Sequence, residues 1–297
     1  IRSKAIKARD WPAYYDHVQY MDRMYSDFFQ MMSGLIKRYD PKARVGAEGS
    51  SAGELEQTVE KLEFWGPYRS LITDELLRNL DPNKVRGTWW GGYFDNLRDG
   101  FPVQQWEYLL TGTLNADQWF SLHPGSSQGA FGGDFKFAPY VAKMMPYLKT
   151  IRRGMAQSFQ ATPFRDDGFA MYMSYASGHA STLDDAYPPA DGIGALVRFC
   201  YRKGYGVKMI TPRTLKKLDT TKVLFLSGAS ALSDAEVAAL RAWQKKGGLL
   251  VADCEPGVLD GFLAKRKEAP LKGLWTPYKW DSSDAELSAF LTKKGIV

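Results

Sequence analysis

Five aromatic residues stand at or just beyond the ends of short apolar runs, where glycine and proline are also concentrated. They are Trp65, Tyr68, Trp89, Trp90 and Trp119. Rings in such positions either fill a core or offer flat apolar platforms to the rings of a ligand. Core packing explains any one of them, but five at the ends of successive runs favour a binding surface.

Two carboxylates and one imidazole occupy comparable positions. Glu48 ends an apolar run before a Gly-Ser pair, Asp95 follows a Gly-Gly-Tyr-Phe segment, and His123 follows the last run of the first half. Carboxylates so placed can act as nucleophiles or as general acids and bases. Each residue also has a structural interpretation: Glu48 bonded to loop backbone, Asp95 in a turn, and His123 as a satisfied structural histidine.

The sequence carries no metal or cofactor pattern. The three histidines lie far apart, and Cys200 and Cys254 lack metal-ligand spacing, so both cysteines are interpreted as small buried side chains. Neither a Gly-x-Gly-x-x-Gly segment nor a phosphate loop follows a predicted strand. We therefore predict no metal and no cofactor.

Charge and hydropathy exclude two further classes. The 39 basic and 33 acidic residues give a net charge of +6, and the basic ones are dispersed, which does not indicate a nucleic-acid partner. No run of about 18 uncharged apolar residues exists, so no membrane span is predicted. Residues 1–9 lack an initiator Met and the apolar core of a leader, so we expect that a preceding segment was removed, and the compartment stays open.

Residues 1–160 alternate amphipathic segments with four short apolar runs. The first predicted helix, 12–39, carries an apolar stripe typical of a helix packed on a core: Tyr14, Val18, Met21, Tyr25, Phe28, Met32 and Leu35. The predicted strands are 43–48, 62–66, 84–90 and 116–122. Such alternation predicts parallel strands with right-handed crossovers, and loops at their carboxyl ends carry the chemistry. Four strands make half of an eight-stranded barrel, so residues 1–160 are predicted to be the second half of a (β/α)8 TIM barrel.

A second domain is predicted over residues 165–297, after a linker at 159–167. Strands are predicted at 168–175, 206–210, 222–226 and 249–253, with helices at 192–203 and from Ser233 to residue 245. Ser233 and Glu236 form a capping box at the start of the second helix. The alternation predicts a doubly wound α/β domain.

Several segments of the chain resemble known glycosidases. In the second domain they are KVLFLSGASALSDAEVAALRAW at 222–243, GGLLVAD at 247–253 and PGVLD at 256–260. In the first half they are DPKARVG at 40–46, FWGPY at 64–68, RGTWWGGY at 86–93 and NADQWF at 115–120. The second-domain segments resemble the trimerisation domain of family 42 β-galactosidases, which has an amidotransferase-like, flavodoxin-like fold. The first-half segments resemble the later barrel strands of clan A glycosidases.

The resemblance implies a retaining mechanism with two carboxyl groups about 5–5.5 Å apart. In that clan the acid/base ends the fourth strand and the nucleophile ends the seventh. If the four strands are the fifth to eighth, the acid/base lies outside this chain. The nucleophile is then expected at the tip of residues 85–90, where the sequence is Thr-Trp-Trp-Gly-Gly and contains no Glu. Glu48 and Asp95 are the remaining catalytic candidates, and the five aromatic residues and His123 are the sugar-binding candidates.

Two functional classes are compatible with these observations. The first is a glycoside hydrolase acting on a β-linked galactoside or a similar sugar, and the second is a non-catalytic sugar-binding or scaffolding protein on the same architecture. An amidotransferase is disfavoured because neither Cys200 nor Cys254 occupies a nucleophile elbow with a partnered His. The expected partners are a carbohydrate, two further copies in a homotrimer, and another segment or chain that completes the barrel.

Overall fold

The computed structural model describes residues 2–49, 54–67, 71–90, 100–113, 115–118, 129–183, 186–280 and 282–297; at positions 2, 48–49, 67, 88–90, 101 and 115–118 it describes the backbone only. The chain divides into two compact units. One comprises Tyr25–Pro163, and the other comprises Ile1–Met24 with Phe164–Val297. The predicted division, 1–160 and 165–297, placed the first 24 residues with the barrel. In the structure their apolar side chains, such as Tyr15, instead pack against Ala180 and Leu259 of the carboxyl-terminal unit.

The middle unit contains a sheet of four parallel strands, β1 (Gly46–Gly49), β2 (Phe64–Pro67), β3 (Val85–Trp90) and β4 (Asn115–Gln118). Each strand pairs with its neighbour in the chain, in the order β1-β2-β3-β4. The α-helices that lie wholly within the described part of this unit are α3 (Leu55–Glu60), α4 (Leu71–Leu80), α5 (Phe101–Leu110), α6 (Pro139–Thr150) and α7 (Ala156–Ala161). The predicted alternation of parallel strands with helices is confirmed.

The helix α2 (Trp11–Tyr39) packs through a different face from the one expected. The Ser26 hydroxyl donates to the Gln57 carbonyl at 2.7 Å, and Lys37 pairs with Glu63 at 2.6 Å. Phe28 lies about 160° around the helix from Ser26, because successive residues turn by about 100°. The prediction that the apolar stripe packs on a core holds at Tyr14 and Val18, and Met32 is half-buried. The prediction is wrong at Met21, Tyr25, Phe28 and Leu35, which are 52%, 38%, 49% and 44% exposed.

The carboxyl-terminal unit contains a second parallel sheet, of strands β5 (Phe169–Tyr172), β6 (Val207–Ile210), β7 (Val223–Leu226), β8 (Leu249–Ala252) and β9 (Thr276–Pro277). Their order, β6-β5-β7-β8-β9, is the 2-1-3-4-5 order of flavodoxin-like doubly wound sheets. The other elements of the unit are α1 (Arg2–Ala8), α8 (Tyr175–Leu183), α9 (Gly192–Lys203), a 3-10 helix (Pro212–Leu218), α10 (Asp234–Lys245) and α11 (Asp284–Lys293). The predicted capping box is confirmed, since Ser233 accepts from the Glu236 amide and Glu236 accepts from the Ser233 amide.

Two element bounds differ from the prediction for local reasons. The helix predicted over 138–157 is broken, since Gly154 has a φ of +131° and Arg153 is also non-helical. The strand predicted over 168–175 ends at Tyr172 because α8 begins at Tyr175.

A buried arginine joins the middle sheet to its helices. Arg86 on β3 is 4% exposed, and its guanidinium donates to the carbonyl oxygens of Asp74, Thr111 and Gly112 at 3.1, 2.9 and 3.0 Å. Asp74 lies on α4, and Thr111 and Gly112 follow α5. Gly112 has a φ of +73°, and a Cβ there would lie 2.7 Å from the guanidinium. A glycine is therefore required for this close approach.

We predict that Arg86→Met lowers the free energy of unfolding by about 2–3 kcal/mol, because three carbonyl oxygens lose a charged donor in a buried position. Urea denaturation of the purified chain measures this. The matched control is Arg152→Met at an exposed position, which should change stability by less than about 0.5 kcal/mol. Equal effects of the two substitutions would contradict the structural role of Arg86.

Candidate functional site

The two faces of the middle sheet can be told apart from the Arg86 contacts. Arg86 bonds to α4 and to the segment after α5, so its side of the sheet is the helix-bearing side. Trp65 is the register partner of both Ala47 and Arg86. Since register partners share a face, Ala47 and Trp65 also belong to the helix-bearing side.

Three chemically capable positions fall on the opposite face. Glu48 follows Ala47 and pairs with Gly66. Trp89 is three residues beyond Arg86, and it pairs with Asp117. Successive residues of a strand alternate between faces, so the positions of Glu48, Trp89 and Asp117 share the face without Arg86. We call these three positions the inner row.

The inner row lies near one edge of the sheet. All four strands are parallel, and each of the three residues is one position before the last residue of its strand. The backbones at Trp89 and Asp117 are on adjacent strands, about 4.8 Å apart, while β1 is about 10 Å from β3 along the sheet. The inner row is therefore a carboxylate position, an aromatic position and a second carboxylate position at the edge where parallel α/β folds place their sites.

Asp117 is a candidate that sequence reasoning missed. In its run, Asn-Ala-Asp-Gln, Asn115 and Asp117 are two residues apart and so share one face of a strand, and this spacing of two polar residues is the signal that could have found it. What the sequence could not supply is the register with β3, which places Asp117 beside Trp89.

The other predicted site residues are distributed as follows. Trp65 is 1% exposed, so its indole has no surface for a ligand in this structure, and it lies on the helix-bearing face. Trp90 is four residues beyond Arg86 and falls on that same face, which separates it from the inner row. Four predicted residues lie outside the described part of the chain: Tyr68, Asp95, Trp119 and His123.

Glu63 has a structural role at the other end of β2. It pairs with Lys37 and accepts from the Val45 amide at 2.8 Å. The hydrogen bond from Lys37, followed by that from Val45, lowers the pKa of the Glu63 carboxyl. Glu63 precedes β2, so it lies away from the carboxyl edge that carries the inner row.

In the carboxyl-terminal unit, hydrogen-bonded residues of the chain itself occupy the space beyond the carboxyl ends of β7 and β8. Asp253, after β8, accepts from the Ser227 hydroxyl at 2.9 Å and from the Gly228 amide at 2.8 Å, and the Trp280 indole also donates to it. Gly228 has a φ of +58°, and a Cβ there would lie 2.7 Å from the Pro188 carbonyl oxygen. The chain itself therefore fills the space beside these strand ends.

The thiol of Cys254 is unsuited to nucleophilic chemistry. Burial and the neighbouring charge of Asp253 raise its pKa to about 12. Nucleophilic cysteines have lowered pKa values and a partnered base. The disfavoured amidotransferase function thus gains no support from this site.

Across the part of the chain that the structure describes, no group of three or more His, Cys, Asp and Glu is arranged to hold a metal ion. The described helices are all too short or too polar to cross a membrane.

Comparisons with known proteins identify the fold. No family model and no curated protein matches the chain. Among similar solved structures are a β-galactosidase from Bacillus circulans sp. alkalophilus (TM-score 0.73, 10% identity, 88% of this chain and 43% of that chain) and a catalytic mutant of a GH42 β-galactosidase from G. stearothermophilus (0.60, 12%, 78% and 40%). A third is a GH42 exo-carrageenase from Bacteroides ovatus (0.66, 12%, 96% and 45%). The chain thus has the fold of GH42 β-galactosidases, as its sequence motifs indicate, and it spans less than half the length of these proteins.

We predict that Cys254 stays unmodified when the folded chain is exposed to a disulfide reagent at pH 8, because a thiol with a pKa near 12 has almost no thiolate at that pH. A Cys200→Ala variant isolates the reaction of Cys254. Complete reaction is expected only after denaturation in guanidinium. Rapid labelling of the folded variant, with a pH midpoint below 9, would contradict the environment described for Cys254.

Proposed function

We propose that this chain is the part of a β-galactosidase-like glycoside hydrolase that contributes the second half of a (β/α)8 barrel and an amidotransferase-like domain. The proposed reaction is hydrolysis of a β-linked galactoside by a two-carboxylate retaining mechanism. The observation that carries the proposal is the inner row, Glu48, Trp89 and Asp117, at the carboxyl edge of four consecutive parallel strands. The likeness of the fold to GH42 β-galactosidases supports it.

In this proposal the chain's residues bind and orient the sugar. Carboxylates accept hydrogen bonds from sugar hydroxyls, and an indole presents a flat apolar face to the C–H groups of the ring. Glu48 and Asp117 lie three strand spacings apart, about 14 Å along the sheet, so in this proposal they contact separate parts of the substrate. One catalytic carboxyl comes from outside this chain, as the clan's pattern implies, and Asp95 remains the other catalytic candidate beside Glu48.

Two features support the proposal that further polypeptide completes the barrel. They are the two unpaired edges of the middle sheet and the exposed apolar face of α2. Among the described strands, β1 pairs only with β2 and β4 only with β3, which leaves backbone donors and acceptors available at both edges. The residues Met21, Tyr25, Phe28 and Leu35 repeat at steps of four, three and seven, which is the spacing of a helix seam. We propose that the remaining βα units of the barrel cover both features, because the similar solved structures contain about twice this length of chain.

The carboxyl-terminal unit is proposed to form a homotrimer through α10. Val237, Leu240 and Trp243 of this helix are buried against its own sheet. Ala235 and Ala238 are exposed, and small side chains allow another element to approach closely. Their helix propensity alone would also explain alanines here, so the oligomeric state decides between the two interpretations.

A non-catalytic sugar-binding protein is the second candidate. The observation that favours it is the end of β3, where Thr88, Trp89 and Trp90 stand at the tip expected to carry a nucleophilic Glu. In that case the completed barrel binds galactosides without hydrolysing them.

The 297-residue chain alone is expected to release no p-nitrophenol from p-nitrophenyl β-galactoside above the buffer rate, since half of the strands and one carboxyl are supplied elsewhere. Absorbance at saturating substrate measures this. Robust turnover by the purified chain would contradict the half-barrel proposal.

In the protein with a completed barrel, Glu48→Gln should weaken galactoside binding or turnover by about 10-fold or more, which corresponds to about 1.4 kcal/mol, while the melting temperature stays nearly unchanged. The reason is that the amide keeps the size of the carboxylate but not its charge. Calorimetric titration with galactose and a thermal melt measure the two quantities. The control is Glu60→Gln on the exposed end of α3, which should leave both values unchanged.

Light scattering of the intact polypeptide, with its barrel completed, should give the mass of three chains at low micromolar concentration. Ala238→Arg should convert the trimer to a monomer that melts at nearly the same temperature, because this position is exposed in the single chain. Lys272→Glu, at another exposed position of the same unit, is the control. A stable monomer before any substitution would remove the trimer proposal.

A further inference from the structure

A cleft of about 450 Å³ lies at the amino edge of the second sheet. Its walls come from four places in the carboxyl-terminal unit: the residues just before β7 and β8, and the residues that follow α10 and α11. Because the strands are parallel, this edge is opposite to the one that carries Asp253. The volume is in the range of sites for small ligands. The cleft is therefore a candidate binding site, and it shares no residue with the inner row.

Three lysines and one carboxylate line the cleft. Lys222 precedes β7, Lys246 follows α10 and Lys294 follows α11, and Asp219 is the acidic residue. All three lysines are exposed, and none of their ammonium groups has an ion pair or a hydrogen bond among the described residues. Three positive charges and one negative charge leave a net side-chain charge of +2 at neutral pH. This charge favours a dianionic ligand.

The two helices do not need these lysines as caps. Each helix ends in a glycine with a positive φ, +99° at Gly247 and +69° at Gly295. The amides of each glycine and of the residue after it donate to carbonyls of the last turn, at 2.9 and 3.4 Å for α10 and at 3.0 Å for both bonds of α11. This Schellman arrangement satisfies the last carbonyls with backbone donors. Lys245 and Lys293 already stand in the last turns, where they complement the helix dipoles, and Lys222 belongs to no helix.

A buried hydroxyl at the cleft has no hydrogen-bond partner among the described residues. Thr221 is 7% exposed, and its Oγ1 atom is the group concerned. Buried hydroxyls are nearly always satisfied, because an unsatisfied one costs the free energy of its removal from water. Thr221 lines the cleft beside Lys222. Its hydroxyl is therefore available to a ligand in the cleft, as a donor or as an acceptor.

An apolar wall of the cleft has a fixed position. The Trp243 indole is 8% exposed and donates to the Leu218 carbonyl at 3.1 Å. Gly248 packs against this indole, since a Cβ there would lie 2.4 Å from the ring carbons. Ile296, which is half-buried, also lines the cleft. A ligand thus meets a rigid apolar surface next to the charged groups.

We infer that this cleft binds a small organic phosphate. A phosphate monoester carries a charge of about −1.5 to −2 at pH 7 and has three acceptor oxygens, which suit the charge and the donors of the cleft. The three ammonium groups and the Thr221 hydroxyl donate to these oxygens. The cleft is larger than a phosphate group requires, so the organic part has room against Trp243 and Ile296. This inference does not depend on the proposed glycosidase function.

The test is calorimetric titration of the purified chain with phenyl phosphate at pH 7.5 and at an ionic strength held constant with sodium chloride. Phenyl phosphate is not a sugar, so binding at the inner row does not contribute. Phenyl phosphate should bind with a dissociation constant below about 1 mM. Inorganic phosphate should bind about 10-fold more weakly, because it lacks the apolar part, and phenol should not bind measurably.

Three variants locate the binding. The double variant Lys246→Gln, Lys294→Gln should weaken phenyl phosphate binding by about 10-fold or more. The matched control, Lys245→Gln with Lys293→Gln, removes the same charge from the same two helix ends outside the cleft and should change the affinity less than about twofold. Thr221→Val should weaken binding about fivefold or more, while the melting temperature of the ligand-free chain stays equal or rises, because the hydroxyl has no protein partner to lose.

The opposite results would each overturn the inference. Failure of both phosphate compounds to bind would remove the site. Equal losses in the two double variants would show that phosphate is attracted to a diffuse basic surface rather than to the cleft. Unchanged affinity in Thr221→Val would exclude the buried hydroxyl as a ligand group. Inorganic phosphate that binds as tightly as phenyl phosphate would contradict the assignment of the apolar wall to an organic part.

Discussion

The burial of one guanidinium determines how the middle sheet can be used. Arg86 donates to three backbone carbonyls of the helix layer, and a buried cation of this kind tolerates no other orientation without losing those bonds. Because Arg86 is fixed on the helix side and successive side chains of a strand point to opposite faces, each remaining position of β3 can be assigned to one of the two faces. The parallel register then carries that assignment to β2 and β4, and to β1 through Trp65 and Ala47. The assignment of the inner row therefore follows from the hydrogen bonds of Arg86 and from the alternation of side chains along each strand.

The same reasoning separates aromatic residues that the sequence groups together. Trp65, Trp89 and Trp90 all lie at the ends of apolar runs, but only the position of Trp89 shares a face with Glu48. Trp65 is enclosed in the core. Composition can show that a chain is rich in aromatic residues, whereas the register between strands decides which of them a ligand can contact.

Local signals predicted most of the elements, and the failures have physical reasons. The capping box at Ser233 predicted the start of α10, and the same four residues, Ser-Asp-Ala-Glu, occur at 283–286, where they would have predicted α11. The break at Gly154 is also a local signal. The apolar stripe on α2 correctly predicted a helix but not the side of the helix that packs. The spacing of the apolar residues defines a face of the helix, but it does not identify which element covers that face. Asp117 was missed because its significance depends on Trp89, on another strand.

Cysteine accessibility along the strands tests the assignment of faces most directly. Single cysteines would be placed at 48, 89 and 117 in the inner row and at the preceding positions 47, 88 and 116, and labelled with a charged thiol reagent at pH 8. The background is low because Cys200 is buried and the pKa of Cys254 is about 12. The account predicts fast labelling at 48, 89 and 117 and slow labelling at 47, 88 and 116. Equal rates within each adjacent pair, or faster labelling at the second set, would contradict it.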